Sequence, residues 1–120
     1  MKNQEAIEPT TYNGWTNYET WNVNLWIDND EDSSRYWSEV AEEMWIESDN
    51  YEGEIFNRCE VASFDLANRI KDEIGDASPL VDSASMYSDL LNAALSDVNW
   101  LEIAENMLVS SVGAYDPLGD

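Results

Sequence analysis

The sequence predicts an all-α domain, a small irregular bundle of about five helices. Three observations carry that expectation. Apolar residues recur at spacings of three and four through five separate stretches, the period of a helix with one buried side. No stretch alternates apolar and polar residues with period two, and the Asn13-Gly14 pair has only a polar arm before it, so no hairpin is expected. The 120 residues hold 3 Pro and 5 Gly, and 43% of them are hydrophobic, enough to fill one core.

Residues 1–13 read as a mobile arm, 14–112 as a single helical domain and 113–120 as a loose tail. Thr16-Asn17-Tyr18-Glu19 has the form of a capping box, so a first helix is expected from Asn17 to about Asp28. Tyr18, Trp21 and Leu25 share one face, and Val23, Trp26 and Ile27 widen it past half the circumference. So wide an apolar arc predicts a central helix. Asp28 to Ser33 has no apolar residue and reads as a connecting loop, with Ser33 or Ser34 capping the second helix. Trp37, Val40, Ala41, Met44 and Trp45 form its stripe, Glu39, Glu42 and Glu43 its opposite face, and it should end near Ser48. A third helix is expected from about Glu54 to Ile74, with Ile55, Cys59, Ala62, Leu66, Ile70 and Ile74 inward. Gly75 is placed as its left-handed stop, with Pro79 beyond. A fourth should span Ala84 to Leu95 with Met86, Tyr87, Leu90, Leu91 and Ala94 inward. Asn99 caps a fifth, whose stripe is Ile103, Ala104, Met107 and Leu108. Trp21, Trp26, Trp37, Trp45 and Trp100 all lie on these stripes and are expected in the core.

Charge then narrows the function. Lys and Arg total 5, Asp and Glu total 26, and His is absent, for a formal net charge of -21. Direct binding to nucleic acid or to an anionic membrane is disfavoured by that balance. Cys59 is the single Cys, which excludes an intrachain disulfide and any Cys-cluster metal site. Without His, a Ser-His or Cys-His hydrolase is excluded within the chain. Carboxylate pairs arise by chance among 26 acids, and no Gly-rich phosphate loop or activated nucleophile is present. A non-enzyme without cofactor is therefore expected. The N-terminal residues hold no apolar run like a signal peptide, and no stretch nears the roughly 20 apolar residues of a membrane span. A cytoplasmic protein is expected, in the host cell's cytoplasm if phage-encoded, as a monomer or homodimer.

The run Tyr12-Asn13-Gly14-Trp15-Thr16-Asn17-Tyr18-Glu19-Thr20-Trp21-Asn22-Val23, followed by Leu25-Trp26-Ile27-Asp28-Asn29-Asp30 and later by Asn99-Trp100-Leu101-Glu102-Ile103-Ala104, resembles a family of small acidic proteins scattered among bacteria, plasmids and phages. The resemblance covers about residues 12 to 108. It implies a compact domain in a mobile-element setting. That family has no settled activity, and no catalytic residue carries over from it.

The strongest functional signal is the acidity itself. A charge of -21 equals that of roughly 36 Å of duplex DNA, or about ten base pairs. Small acidic helical phage and plasmid proteins that mimic DNA, acting in anti-restriction or anti-CRISPR defence, are similar in size and charge, an analogy of composition. The expected partner is a protein with a basic nucleic-acid-binding cleft. The candidate acidic face comprises Asp28, Asp30, Glu31, Asp32, Glu39, Glu42, Glu43, Glu47, Asp49, Glu52 and Glu54, with Arg35 the single cation among them. Against it stands the plain reading of such runs as a solvated helix face that serves solubility or salt adaptation. A second function class is an accessory module that binds through aromatic anchors, with Trp15, Trp26 and Tyr36 the candidates. A third is calcium binding. Asp28, Asp30, Asp32 and Glu39 occupy positions 1, 3, 5 and 12 of a calcium loop, but Ser33 stands where Gly should turn the chain and Arg35 where an apolar residue is usual. The run Asn13, Asn17, Asn22 and Asn24 points either to side-chain hydrogen bonds that fix the first helix or to a partner.

Overall fold

The structure, a computed structural model, describes residues 11–50 and 55–115. It is all-α: helices α1 (Tyr18–Asn29), α2 (Glu31–Glu47), α3 (Arg58–Asp76), α4 (Met86–Ser96) and α5 (Trp100–Ser111), with a 3-10 turn at Ser48–Asn50. Most of the mobile arm expected over 1–13, and residues 116–120 of the tail, lie outside the described residues.

α5 is the centre of the bundle. It packs on α1, α2 and α3. Ile103, Ala104 and Leu108 are fully buried, as its sequence stripe predicts, and burial of the Ile103 and Leu108 side chains contributes about 1.5–3 kcal/mol each. Around it close Trp37, Val40 and Ala41 of α2 and Cys59, Ala62, Leu66 and Ile70 of α3. α1, expected to be central, is instead peripheral. It buries only Thr20 and Ile27; of the rest of its wide apolar arc Val23 and Leu25 are half-buried, Val23 against the core, while Tyr18 and Trp26 are exposed, Trp26 at 72%. Trp21 is half-buried against the rings of Tyr12 and Tyr18.

Several boundaries differ from the sequence reading, each for a local reason. Asn17, not Thr16, caps α1: its carboxamide oxygen accepts from the Thr20 amide at 2.9 Å. Asp28 to Ser33 is helical but for Asp30, an extended residue whose carboxylate accepts from the Ser33 amide at 3.1 Å and so caps α2. Asp caps a helix about as well as Ser, and its charge additionally suits the helix N-terminus. α3 starts at Arg58 because Asn57 and Glu60 form a capping box; Ile55 lies before it and is 82% exposed. α3 runs through Gly75 to Asp76 without a left-handed residue. Positive φ occurs instead at Asn13 (50°) and Gly14 (88°), where Tyr12 and Trp15 exchange two backbone hydrogen bonds of 2.8 Å. That is the geometry an Asn-Gly pair favours, made here as an isolated bridge among the described residues.

The two motifs that carry the family resemblance meet in space. Where α1 and α5 begin, the Thr16 amide donates to the Glu102 carboxylate at 3.0 Å and the Asn17 carboxamide donates to the Asp97 carbonyl at 2.7 Å. The Asn99 amide donates to the Thr20 hydroxyl at 2.8 Å, and the Asn99 side chain donates to the Thr16 hydroxyl at 3.1 Å. Asn99 also caps α5, accepting from the Glu102 amide at 3.0 Å. Of the two readings of the Asn-rich run, Asn17 follows the first: it fixes α1 to the rest of the fold. Asn24 bonds only within α1, to Asp28 at 3.1 Å.

At the other end, Arg58 joins α2 to α3. Its guanidinium donates to the Trp45 carbonyl at 2.7 Å and to the Ser48 hydroxyl at 3.0 Å. It also lies 3.6 Å from the centroid of the Trp45 ring. The tail is held as far as Tyr115, which is buried and meets the Trp45 ring edge-on at 5.7 Å.

Candidate functional site

Residues 28–49 place nine carboxylates on α1, α2 and the turn after them, and all nine are exposed. Helical spacing puts Glu39, Glu42 and Glu43 on one side of α2, opposite the stripe of Trp37, Val40 and Ala41 that anchors it. Glu47 continues that side toward Asp49, while Asp28, Asp30, Glu31 and Asp32 gather at the break between α1 and α2. Glu52 and Glu54 lie outside the described residues.

Cations divide this face into two classes of acid. Asp32 pairs with Arg35 at 2.6 Å, Asp49 with Arg58 at 3.2 Å and Glu43 with Arg69 at 3.9 Å. Among the described residues Asp28, Asp30, Glu31, Glu39, Glu42 and Glu47 have no ion pair. Arg69 is turned mainly toward Glu73, one turn along α3, and Glu73 also accepts from the Tyr36 hydroxyl at 2.8 Å. The bond from Arg69 and then that from Tyr36 hold the Glu73 carboxyl below its ordinary range, against the cost of its partial burial. A shallow depression crosses the face between Tyr36, Glu39, Glu42, Ile46, Glu47 and Arg69. Ile46, 68% exposed, stands in the middle of these carboxylates. The sequence reading missed it, although its place three residues after Glu43 puts it on the acidic side.

The proposed aromatic anchors separate. Trp26 is open to solvent at 72%. Trp15 is half-buried against the core and lines a cleft with Ile27, Trp37 and Met107. Tyr36 is 42% exposed, its ring edge on Trp37 and its hydroxyl committed to Glu73. The calcium set is not gathered into a loop: α2 begins at Glu31, so Asp32 and Glu39 are helical positions two turns apart, and Asp30 is engaged as a cap. Among the described residues no three acidic or sulfur side chains come together to hold a metal ion. No helix there is long and apolar enough to cross a membrane.

Compared with known proteins, residues 8–105 match the model of a family of unknown function, DUF7249. No curated protein and no solved structure matches the chain.

Proposed function

The chain belongs to the DUF7249 family of unknown function, and we propose that it is an acidic binding protein that inhibits a DNA-handling defence enzyme by occupying its DNA cleft. The observation that supports this most is the charge spacing on α2. From Asp30 to Asp49, eight carboxylates lie along about 30 Å of helix, and three of them pair with Arg35, Arg58 and Arg69. That leaves roughly one net negative charge per 6 Å, within a factor of two of the 3.4 Å per phosphate along one strand of duplex DNA. The partner's Lys and Arg side chains would pair with Glu39, Glu42 and Glu47, which have no ion pair among the described residues. Ile46 would add apolar contact at the centre, where most interface energy concentrates. The field of the whole chain would steer the encounter.

The test is inhibition of DNA cleavage by purified restriction and CRISPR nucleases. With an inhibited enzyme in hand, Glu39→Lys, Glu42→Lys and Glu43→Lys are combined. Each reversal adds two charges, so three raise -21 to -15. All three residues are exposed, so the fold should survive. The reading expects inhibition to be lost, wild-type affinity to fall steeply between about 50 and 200 mM salt, and duplex DNA to compete. If the folded triple variant inhibits like wild type and DNA does not compete, the acidity is for solubility. The exposure of Trp26 favours a second reading, an accessory module that binds by aromatic contact. That reading expects little salt dependence and loss of binding with Trp26→Ala.

A further inference from the structure

α4 contributes none of its side chains to the core and forms no extensive pair with another helix. It rests on the domain through Ser88, which is buried, and Leu91 and Leu95, which are half-buried. Its other side, expected from sequence to face inward, is uncovered: Met86 is 64% exposed, Tyr87 67% and Leu90 63%. Ala93 is exposed beside them. Apolar surface grouped like this is unusual on a protein that works alone. It also lies in the least charged part of the chain. Between Ala77 and Leu101 the charged residues are Asp82, Asp89 and Asp97.

The order of side chains along this surface is symmetric about Leu90. At 3.6 residues per turn, Met86, Tyr87, Ala93 and Ala94 all fall within about 60° of the Leu90 direction. A half-turn about an axis through Leu90 exchanges Met86 with Ala94 and Tyr87 with Ala93, a large side chain for a small one each time. Asp89, the one charged residue of α4, falls about 100° from the Leu90 direction and is matched with Leu91 of the other copy, so no α4 carboxylate meets another. We propose that α4 is a self-association surface, where two copies of the chain pair antiparallel across a two-fold axis at Leu90. Met86 and Tyr87 of each copy fill the space over Ala94 and Ala93 of the other, and the Leu90 side chains meet on the axis. Two-fold pairs require such self-complementarity. A basic partner would find no charge on this side to hold. Two copies, each at -21, repel each other elsewhere. Self-association through α4 therefore strengthens as salt screens that repulsion, the opposite of the salt response expected at the α2 face.

Sedimentation equilibrium of the full chain tests this over a range of concentration and salt. The weight-average mass should rise from 13.7 kDa toward twice that value, at lower concentration as salt increases. Leu90→Glu puts two carboxylates on the axis and should weaken the dimer at least about a hundredfold. Should that variant lose its helical circular dichroism, Ala93→Glu on the same exposed surface replaces it. Met86→Lys and Ala94→Glu should each weaken association alone and restore it together, because they face each other twice across the axis. Val109→Glu, exposed on α5, is the control that should dimerise like wild type. A mass of 13.7 kDa under all conditions overturns the proposal. So does dimerisation that Leu90→Glu leaves intact, or a paired variant no better than its singles.

Discussion

The Thr20 hydroxyl, on α1, accepts the backbone amide of Asn99, 79 positions later in the chain, at 2.8 Å, while donating to the Asn17 carboxamide at 2.6 Å. Thr20 is fully buried, so this hydroxyl has no water to fall back on. Thr20→Val keeps the shape and leaves the Asn99 amide and the Asn17 oxygen each short of a partner. We predict a loss of about 1–3 kcal/mol, read from urea denaturation midpoints. A loss under about 0.5 kcal/mol would mean that the joint between α1 and α5 carries little of the stability.

Arg58 should resist even conservative replacement. Lys cannot reach the Trp45 carbonyl and the Ser48 hydroxyl together while lying flat on the Trp45 ring. We predict that Arg58→Lys costs about 1–3 kcal/mol. Arg35→Lys, whose exposed pair with Asp32 is of the kind usually worth little, should cost under about 0.5 kcal/mol. Equal effects would contradict the joining role of Arg58.

The tryptophans rank themselves by cover. Trp37→Ala opens a cavity in the core and should cost about 3–5 kcal/mol, enough to threaten a domain with a total of about 5–15 kcal/mol. Trp26→Ala should change stability by under about 0.5 kcal/mol. Trp21→Ala should fall between them, since its ring contacts are with the half-exposed Tyr12 and Tyr18. Thermal melts of the three variants would decide the order.

Two glutamates should bend the pH dependence of stability in opposite senses. Arg69 and Tyr36 hold the Glu73 carboxyl below its unfolded value. Its contribution is present above that value, about pH 4.3, and is lost as pH falls through the folded pKa. Burial, and then the nearby Glu102, push Glu105 upward. Its favourable share is present below the unfolded value and is lost as pH rises through the folded pKa. Glu73→Gln should therefore lower Tm at pH 7 and converge on wild type in acid. Glu105→Gln should raise Tm at pH 7 and also converge in acid. Both groups are partly solvated, so each difference should stay under about 1 kcal/mol. Shifts of the same sign at pH 7 would contradict one of the two assignments.

The readable parts of this fold are those where periodicity alone decides. Trp37, Val40 and Ala41 on α2, and Ile103, Ala104, Met107 and Leu108 on α5, are buried as their spacing predicts. The acidic side of α2 follows as the complement of its stripe. Spacing fails where more of a helix is apolar than its neighbours can cover. On α1 nothing local tells that Ile27 is buried and Trp26 is not. On α4 the apolar positions are real, but the domain covers only one side of the helix. Capping fails by a residue or so because several Ser, Thr, Asn and Asp compete, and tertiary bonds choose among them. Asn17 prevails over Thr16 while Thr16 is engaged with Glu102 and Asn99.

α5, on which α1, α2 and α3 all pack, is synthesised after all three of them. Order of synthesis and order of burial thus run in opposite directions. α1 to α4 all emerge before Trp100, and until then the buried sides of α2 and α3 lack the helix they close upon. Contacts between positions so far apart form late, because the loop between them must close first. A chain ended before Trp100 should consequently show helical circular dichroism without a cooperative melt, and should bind a hydrophobic dye. A sharp melt from that fragment would show instead that α1 to α3 commit on their own during synthesis.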